Sequence, residues 1–391
     1  MSEQEQGIGN KPIHNEALRI LEEIGSNNNP LVVKAAQTIL PLIQFIEDKP
    51  AELVEFADKY KTARTDIVRL PEEQAQELIS EIPAVKSGDL EVDVGHVLGS
   101  ASVAEIYEGR SKLVPAKKLA VKVQKPEKEE IFGNTFMVAR ILGKIAIDES
   151  VDIKNKKGAE AIFNTFIEMG KLAFESEFDF SKEVAGLRVL QKAGLKTPKV
   201  YDQLSSDKVI VMDKVEDTIP LVEFMKIANN KDRKKLSTEY MASLIKMLRH
   251  GVIHGDPHSG NVLVDSQKKL TWIDPSPLVE FSVFELIPIT RLIWGLKKSN
   301  RDLVINSLAK ISSKKPGKQK LKQIKTDCRS LDSFQMATLL AENDLLPNPK
   351  YISLTRAFIE GIGTLAEIYP EKKSPLTMMT LILKASLKSL F

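Results

Sequence analysis

One polar segment, His254-Gly-Asp-Pro-His-Ser-Gly-Asn261, places the tightest constraint on what this chain can fold into. Apolar runs flank it, and a second strand-like run, Leu270-Thr-Trp-Ile, ends at Asp274. A loop therefore carries Asp256 and Asn261, and a neighbouring strand delivers Asp274. Because hard oxygen ligands suit Mg²⁺, this set predicts phosphoryl transfer. Asp256 would orient the nucleophile or accept its proton, and the other two residues would hold the metal on the phosphates.

The same segment allows two other interpretations. His254, Asp256 and His258 could ligate a transition metal through side chains at i, i+2 and i+4. The chain has five histidines, however, and the other three show no ligand spacing with these two, which disfavours a metallohydrolase. A His–Asp turn that only braces a loop is the structural alternative, but it leaves the upstream residues unexplained. The Asp-x4-Asn spacing and the thirteen positions from Asn261 to Asp274 match a kinase catalytic loop and its metal-binding aspartate.

Residues upstream of this segment suit the same chemistry. Lys122 lies on an alternating strand-like run, Ala120-Val-Lys-Val123, where its ammonium can pair with the α- and β-phosphates of a nucleotide. The preceding turn, Gly99-Ser-Ala-Ser-Val-Ala-Glu-Ile106, has the spacing of a glycine-rich phosphate loop with Ala101 and Ala104 at glycine positions. Methyl groups there hold the backbone further from the phosphates, so we expect an altered nucleotide preference or rate.

The composition restricts the class of protein further. The chain has 391 residues, of which 42% are hydrophobic and 28% charged, as in a globular protein of two or three domains. Its 56 Lys and Arg against 53 Asp and Glu give a formal charge of +3, too balanced to argue for a nucleic-acid partner. The single cysteine excludes a disulfide framework within one chain and suits the cytoplasm or another reducing compartment.

Four features bear on membranes. The first ten residues lack the basic and apolar regions of a signal peptide, and charges interrupt the long apolar windows, so we expect neither a signal peptide nor a transmembrane helix. Residues 314–329 hold seven basic side chains against one acid, which indicates a solvated face more than a surface for anionic lipid. The apolar stripe over 376–390 indicates core packing more than a membrane face. Peripheral membrane contact is the most that these features support.

The apolar periodicity predicts a change of secondary structure near Val92. Helices are expected over 12–80, 130–147 and 158–193, and in most of the C-terminal half. Short strands are expected at 94–97, 104–107, 119–123, 198–201 and 209–212.

Together these segments resemble the ABC1/UbiB family of atypical kinase-like proteins over roughly residues 35 to 372. Val121-Lys-Val-Gln-Lys-Pro126 is similar to the family's VKVQRP strand, and Glu177-Phe-Asp179 to its ExD motif. The other similar segments are the alanine-rich loop at 101–105, the hinge at 209–215, the catalytic loop at 254–261 and C-terminal helices that include 356–361.

The resemblance implies an α+β, two-lobed protein-kinase-like fold with a small N-lobe sheet, a helical C-lobe and a helical N-terminal extension. The corresponding domains are 1–90, 91–215 with a helical insert, and 216–391. It also implies ATP or ADP as a ligand with Mg²⁺, ATPase or kinase-like activity, and a role in prenyl-quinone or isoprenoid-lipid metabolism. The acceptor stays open between a lipid, a small molecule, a protein and water.

The resemblance also assigns roles to residues. Lys122, Glu183 and Asp256 are the catalytic set, with Glu183 orienting Lys122. Asn261 and Asp274 are the metal ligands. Besides Lys122, the positions expected to contact the nucleotide are Gly99, Ala101, Ser102, Val103, Ala104, Glu177, Asp179, Met212 and Val215.

Three positions depart from the family pattern. The KxGQ signature aligns with Pro41-Leu-Ile-Gln44, where only Gln44 is kept, and the lost lysine would open the pocket. Glu105 replaces a glutamine in the loop, where a carboxylate facing phosphates would be repulsive unless it binds metal. Asp274-Pro275-Ser276 replaces Asp-Phe-Gly, so the proline would stiffen the switch that follows the metal ligand.

Two alternative functions follow from the same residues. The His-Gly-Asp loop and Asp274-Pro-Ser-Pro also resemble aminoglycoside phosphotransferases, which are small-molecule kinases. A nucleotide-binding pseudokinase that acts as a regulatory scaffold is the third hypothesis. The complete set of Lys122, Glu183, Asp256, Asn261 and Asp274 argues against a dead site.

Overall fold

The computed structural model describes residues 69–101, 103–126, 140, 143–144, 147–148, 153–275 and 278–369. The predictions made for Gln44, Ser102 and Ser276, for the helices before residue 69, for most of 130–147 and for the stripe over 376–390 lie outside these residues.

Four strands form an antiparallel sheet in the order β1-β2-β3-β4. They are β1 (Leu90–Ser100), β2 (Ala104–Ser111), β3 (Leu119–Gln124) and β4 (Val209–Asp213), which contain four of the five predicted strands. The fifth prediction, at 198–201, is wrong, because this segment makes a single bridge between Val200 and Met212. Pro198 has no N–H for a ladder, and a short 3-10 turn begins directly afterwards at Asp202.

The two faces of the sheet have different partners, because side chains alternate along a strand. One face buries apolar residues against the short helices α1 (Glu72–Ser80) and α2 (Pro83–Lys86). The opposite face carries Lys122, which pairs across the strands with Ile106 and Ile210. Ile210 and Ala104 on that face pack against Phe180. Lys122 therefore lies between the sheet and the helix that begins at Phe180.

The helix predicted over 158–193 is two helices, α3 (Ile153–Glu177) and α4 (Phe180–Lys192). The chain leaves the helical conformation at Asp179, whose φ and ψ are −94° and 86°. Its carboxylate accepts hydrogen bonds from the Ser181 hydroxyl and the Lys182 ammonium, which holds the pKa of Asp179 below its ordinary value. The break at Asp179 separates the two helices, and α4 begins at the next residue.

The described part of the C-terminal half is mainly helical and contains five short strands. The strands are β5 (Thr218–Pro220), β6 (Val252–His254), β7 (Val262–Asp265), β8 (Leu270–Trp272) and β9 (Leu278–Glu280), which form a sheet β5-β7-β8 and a pair β6-β9. The helices are α5 (Leu221–Ile227), α6 (Asn230–Arg249), α7 (Val283–Lys297), α8 (Arg301–Ile311), α9 (Lys318–Asp327), α10 (Ser333–Glu342) and α11 (Pro349–Ile368).

The core of this half places the catalytic loop. Trp272 is fully buried, with its ring 5.2 Å from that of Tyr240 on α6 and 5.6 Å from that of His254. Gly251 ends α6 at a φ of +69°, and a Cβ there would lie 2.5 Å from the carbonyl oxygen of Phe281. Only glycine therefore allows the turn that leads from α6 into β6 and the loop.

The α+β fold class with a small antiparallel sheet and many helices is confirmed. None of the helices in the described ranges is long and apolar enough to cross a bilayer.

Candidate active site

A buried lysine joins the two halves of the molecule. Lys122 and Glu183 are almost completely buried, and Lys122 Nζ lies 2.6 Å from Glu183 Oε2 on α4. The same ammonium lies 3.4 Å from Asp274 Oδ2, which follows β8. Burial alone lowers the pKa of a lysine, but the carboxylates of Asp274 and Glu183 raise the pKa of Lys122 above its ordinary value. The structure therefore brings together these three predicted residues around one permanent positive charge.

His254 braces the catalytic loop. Its Nε2 lies 3.0 Å from the carbonyl oxygen of Ile273, and its Nδ1 accepts the backbone N–H of Asp256 at 3.2 Å. Burial lowers the pKa of His254, so the ring is neutral with its proton on Nε2. Because both ring nitrogens already make hydrogen bonds, neither is free to ligate a metal. The hypothesis of a transition-metal site formed by His254, Asp256 and His258 therefore lacks one of its three ligands. The brace instead links the residue before Asp274 to Asp256.

Asn261 and Asp274 present oxygen atoms that fit a magnesium ion. Asn261 Nδ2 donates to the carbonyl oxygen of Asp256 at 3.0 Å, which leaves the amide oxygen as the end that can ligate a cation. The backbone N–H of Ile273 donates to the Asn261 carbonyl, so the two ligand-bearing segments are tied directly. Asp274 adopts a φ of +49°, and its carboxylate is half-buried beside Lys122. An all-oxygen set of this kind is the one Mg²⁺ prefers.

The loop before β2 is held by its own backbone and by a lysine. The backbone N–H of Ala101 donates to the Ala104 carbonyl at 2.8 Å, and Lys125 Nζ donates to the Ala101 carbonyl at 3.0 Å. Val103 and Ala104 are buried against Phe180, so their side chains belong to the core of this lobe. Sequence reasoning missed Lys125. Its only signal was a second lysine in the strand motif.

Glu105 corrects one expectation from the sequence. It pairs with Val123, whereas Lys122 pairs with Ile106, so Glu105 lies on the face of the sheet opposite Lys122. The buried carboxylate of Glu105 accepts a hydrogen bond from Tyr107 at 2.6 Å and from the backbone N–H of Leu70 at 3.2 Å. Burial and this carboxylate raise the pKa of Tyr107. Glu105 therefore holds the segment before α1 and does not face the phosphates.

The remaining predicted nucleotide contacts lie at the ends of sheet strands or beside α4. Gly99 is in β1 opposite Ile106, Met212 is buried in β4, and Val215 follows β4 with its carbonyl accepting from Thr218 at 3.1 Å. Glu177 is the last residue of α3, and Asp179 precedes α4. Contact of these positions with a nucleotide stays a prediction.

The proline after Asp274 packs on a glycine of α4. A Cβ added to Gly186 would lie 2.9 Å from Pro275 Cγ and 3.3 Å from Pro275 Cβ. Gly186 lies one turn after Glu183 on the same helix, so this contact fixes the distance between the helix that carries Glu183 and the turn that carries Asp274. The proline expected to stiffen the turn thus also has a specific packing partner.

Gly186→Ala is expected to destabilise the protein by about 1–3 kcal/mol through overpacking and to weaken magnesium–nucleotide binding. Pro275→Ala removes the Cγ atom, so the double variant should recover most of the loss. Denaturant unfolding of the ligand-free variants measures the loss of stability and its recovery, and calorimetric titration with MgADP measures nucleotide binding.

Gly363→Ala is the matched control for Gly186→Ala. Gly363 lies in α11 with no atom within 4 Å of an added Cβ, so this change should be neutral or gain up to about 1 kcal/mol from helix propensity. Equal effects of the two substitutions, or no recovery with Pro275→Ala, would refute the packing argument.

The fold and the site define a class of protein. A small antiparallel sheet carries a lysine paired with a helix glutamate, and the helical half presents Asp256 and Asn261 on one loop and Asp274 on the turn after β8. This is the architecture of protein-kinase-like proteins. Residues 90–306 match the model of the ABC1 atypical kinase-like domain, and the chain belongs to that family.

Several curated proteins and one solved structure are similar to this chain. An uncharacterised Synechocystis protein is 23% identical over 76% of this chain and 42% of its own length. Activity of BC1 Complex Kinase 3 from Arabidopsis thaliana is 29% identical over 45% of this chain and 25% of its own length. AarF domain-containing protein kinase 1 from Xenopus laevis is 29% identical over 52% of this chain and 37% of its own length.

The structure of Mycobacterium tuberculosis Rv3197 with erythromycin aligns with 95% of this chain and 90% of that chain at a TM-score of 0.49 and 16% identity. Among the three curated relatives, the chain spans less than half of each one's length.

Proposed function

We propose that this chain binds ATP or ADP with Mg²⁺ and transfers the terminal phosphoryl group of ATP to an acceptor or to water. The observation that carries the proposal is the position of the Lys122 ammonium between Glu183 and Asp274, at 2.6 and 3.4 Å. A buried cation beside a half-exposed metal-binding carboxylate suits a group with several negative oxygens, and a magnesium–nucleotide phosphate has that chemistry.

Each residue has a role in the proposed reaction. Lys122 binds the α- and β-phosphates, and Glu183 holds its ammonium in place. Asn261 and Asp274 would hold Mg²⁺, which neutralises charge on the phosphates when bound. Asp256 accepts the proton of the attacking hydroxyl while that oxygen bonds to the γ-phosphorus and the bond to the bridging oxygen breaks, releasing ADP. His254 keeps Asp256 aligned, because the ring nitrogen Nδ1 of His254 accepts the backbone N–H of Asp256.

We also propose the pathway in which this protein acts. Relatives named as AarF domain-containing or BC1 complex kinases support a kinase-type function, and the family resemblance supports a role in prenyl-quinone or isoprenoid-lipid metabolism. Peripheral membrane contact belongs to the same proposal. This chain spans less than half of the length of each of those relatives, so the proposal does not include their complete activities or their partners.

A thermal-shift comparison tests the nucleotide site. The protein is heated with ATP, ADP or AMP, each with and without Mg²⁺, and the same series is run on Asp274→Asn. A ligand that binds only the folded state at 100 times its Kd adds about 2.7 kcal/mol of stability. We expect a magnesium-dependent shift with ATP and ADP that Asp274→Asn abolishes.

Asp207→Asn supplies the control for this experiment. Asp207 lies in an exposed turn before β4, so the same chemical change there should leave the shift intact. The absence of any shift with the unaltered protein would refute the nucleotide site and favour a scaffold that acts without a nucleotide. A shift that persists in Asp274→Asn would refute its role as a metal ligand.

A further inference from the structure

A single arginine from the C-terminal half reaches the proposed catalytic aspartate. Arg356 lies on α11, and its Nη2 is 3.8 Å from Asp256 Oδ2. The position of α11 is set by packing against the catalytic loop. A Cβ on Gly361 would contact Pro257 at 3.4 Å, and the Thr364 hydroxyl donates to the Pro257 carbonyl at 3.2 Å. Arg356 is therefore presented to Asp256 by a rigid, docked helix.

A second nitrogen donor lies near the same oxygen atom of Asp256. His258 Nε2 is also 3.8 Å from Asp256 Oδ2. The backbone N–H of Gly260 donates to His258 Nδ1 at 2.9 Å, so Nε2 is the ring nitrogen that is left to donate. The side chains of Arg356 and His258 are 45% and 46% exposed, against 29% for Asp256. The site therefore offers accessible N–H donors around a carboxylate.

The distances show that these donors do not serve mainly to neutralise Asp256. A charge-assisted hydrogen bond from arginine to a carboxylate has a length of about 2.7–2.9 Å, and 3.8 Å is beyond that range. Ion pairs between half-exposed groups contribute at most about 1 kcal/mol to stability. Within the described ranges, the structure records no other ion pair or hydrogen bond for the guanidinium of Arg356. Its fork of donors matches the geometry of a phosphate or carboxylate group.

We propose that Arg356, assisted by His258, binds an anionic group of the phosphoryl acceptor, a phosphate or carboxylate close to the reacting hydroxyl. This inference rests on the proposed function. The acceptor hydroxyl gives its proton to Asp256, its oxygen bonds to the γ-phosphorus of ATP, and ADP leaves. The positive charge of Arg356 offsets the repulsion between Asp256 and the anionic acceptor. A free anionic metabolite and an anionic lipid headgroup present the same chemistry.

Binding of matched probes tests this inference. The full chain, with and without MgADP, is titrated calorimetrically with glycerol 3-phosphate and with glycerol, which differ by the phosphate alone. Co-sedimentation with phosphatidylcholine vesicles, with and without phosphatidylglycerol, tests the lipid source. We expect saturable binding of one anionic probe and of neither neutral probe. Arg356→Gln should weaken it at least tenfold, and Arg356→Lys less, because lysine keeps the charge and loses the fork.

Arg140→Gln is the matched control, because Arg140 is an exposed arginine paired with Glu168 far along the chain from this site. Anion binding that Arg356→Gln leaves unchanged, or binding of neither anionic probe, overturns the proposal. Equal affinity for glycerol and for glycerol 3-phosphate also overturns the proposal. Anion binding that needs Arg356 in a protein that fails to bind MgADP supports the anion site and refutes only the nucleotide site.

Discussion

Asp256→Asn is expected to lower phosphoryl transfer or ATP hydrolysis by between about a hundredfold and ten-thousandfold, with little change in MgATP affinity. Asparagine is isosteric with aspartate but does not accept the proton of the nucleophile. The contact of Asp256 with His254 is made by its backbone N–H, and the contact with Asn261 by its backbone carbonyl. The loop geometry should therefore survive the substitution. ADP release under saturating MgATP, combined with calorimetric MgATP binding, separates the two quantities.

Asp207→Asn makes the same chemical change in an exposed turn and should leave turnover unaltered. Unchanged turnover in Asp256→Asn would refute the role of Asp256 as the base. Equal loss of turnover and of MgATP binding would show that Asp256 holds the nucleotide.

Lys122→Met is expected to cost about 3–5 kcal/mol of unfolding free energy in the ligand-free protein, besides weakening nucleotide binding. The substitution leaves the Glu183 carboxylate buried without the cation that neutralises it, and breaking a buried pair has a cost of this size. Adding Glu183→Gln to Lys122→Met should recover part of the loss. Equilibrium unfolding in urea of the two single variants and the double variant gives the coupling energy.

The loss in Lys122→Met should also depend on pH. Without its cation, a buried carboxyl has a pKa raised above the unfolded value, so the folded state of the variant binds more protons. The variant therefore loses further stability as the pH rises above the unfolded pKa, and its deficit should be larger at pH 8 than at pH 5.

Lys117→Met is the control for Lys122→Met, because it removes an exposed lysine of an ion pair. Lys117 precedes the same strand and pairs with Asp213 at 2.8 Å, but its side chain is 49% exposed, so its removal should cost less than about 1 kcal/mol. A similarly small, pH-independent loss in Lys122→Met would contradict the importance of burial at the Lys122 pair.

Much of the candidate site could be predicted because its residues are close in sequence. The spacing of Asp256, Asn261 and Asp274 reflects one loop and one hairpin, in which a few residues of chain determine which side chains meet. Lys122 was recognisable from the alternation of a single strand. Its partner Glu183 came from a family resemblance, and the structure places the two charged groups 2.6 Å apart.

One error, at Glu105, arose because the prediction needed the pairing of a strand. A shift of one residue in strand register moves a side chain to the opposite face of a sheet, and this decided the position of Glu105. The predicted strand at 198–201 and the single helix at 158–193 failed for local reasons, a proline without an N–H and an aspartate that starts a new helix.

The sequence alone predicted the class of chemistry proposed for this protein, because oxygen-bearing side chains, a strand lysine and their order along the chain are compatible with few reactions. Only the tertiary structure decided which groups surround those residues. Gly186 meets Pro275, and Arg356 meets Asp256, across long stretches of chain whose separation carries no periodic signal. Such contacts depend on how helices dock on the core, and docking is set by the packing of many side chains at once.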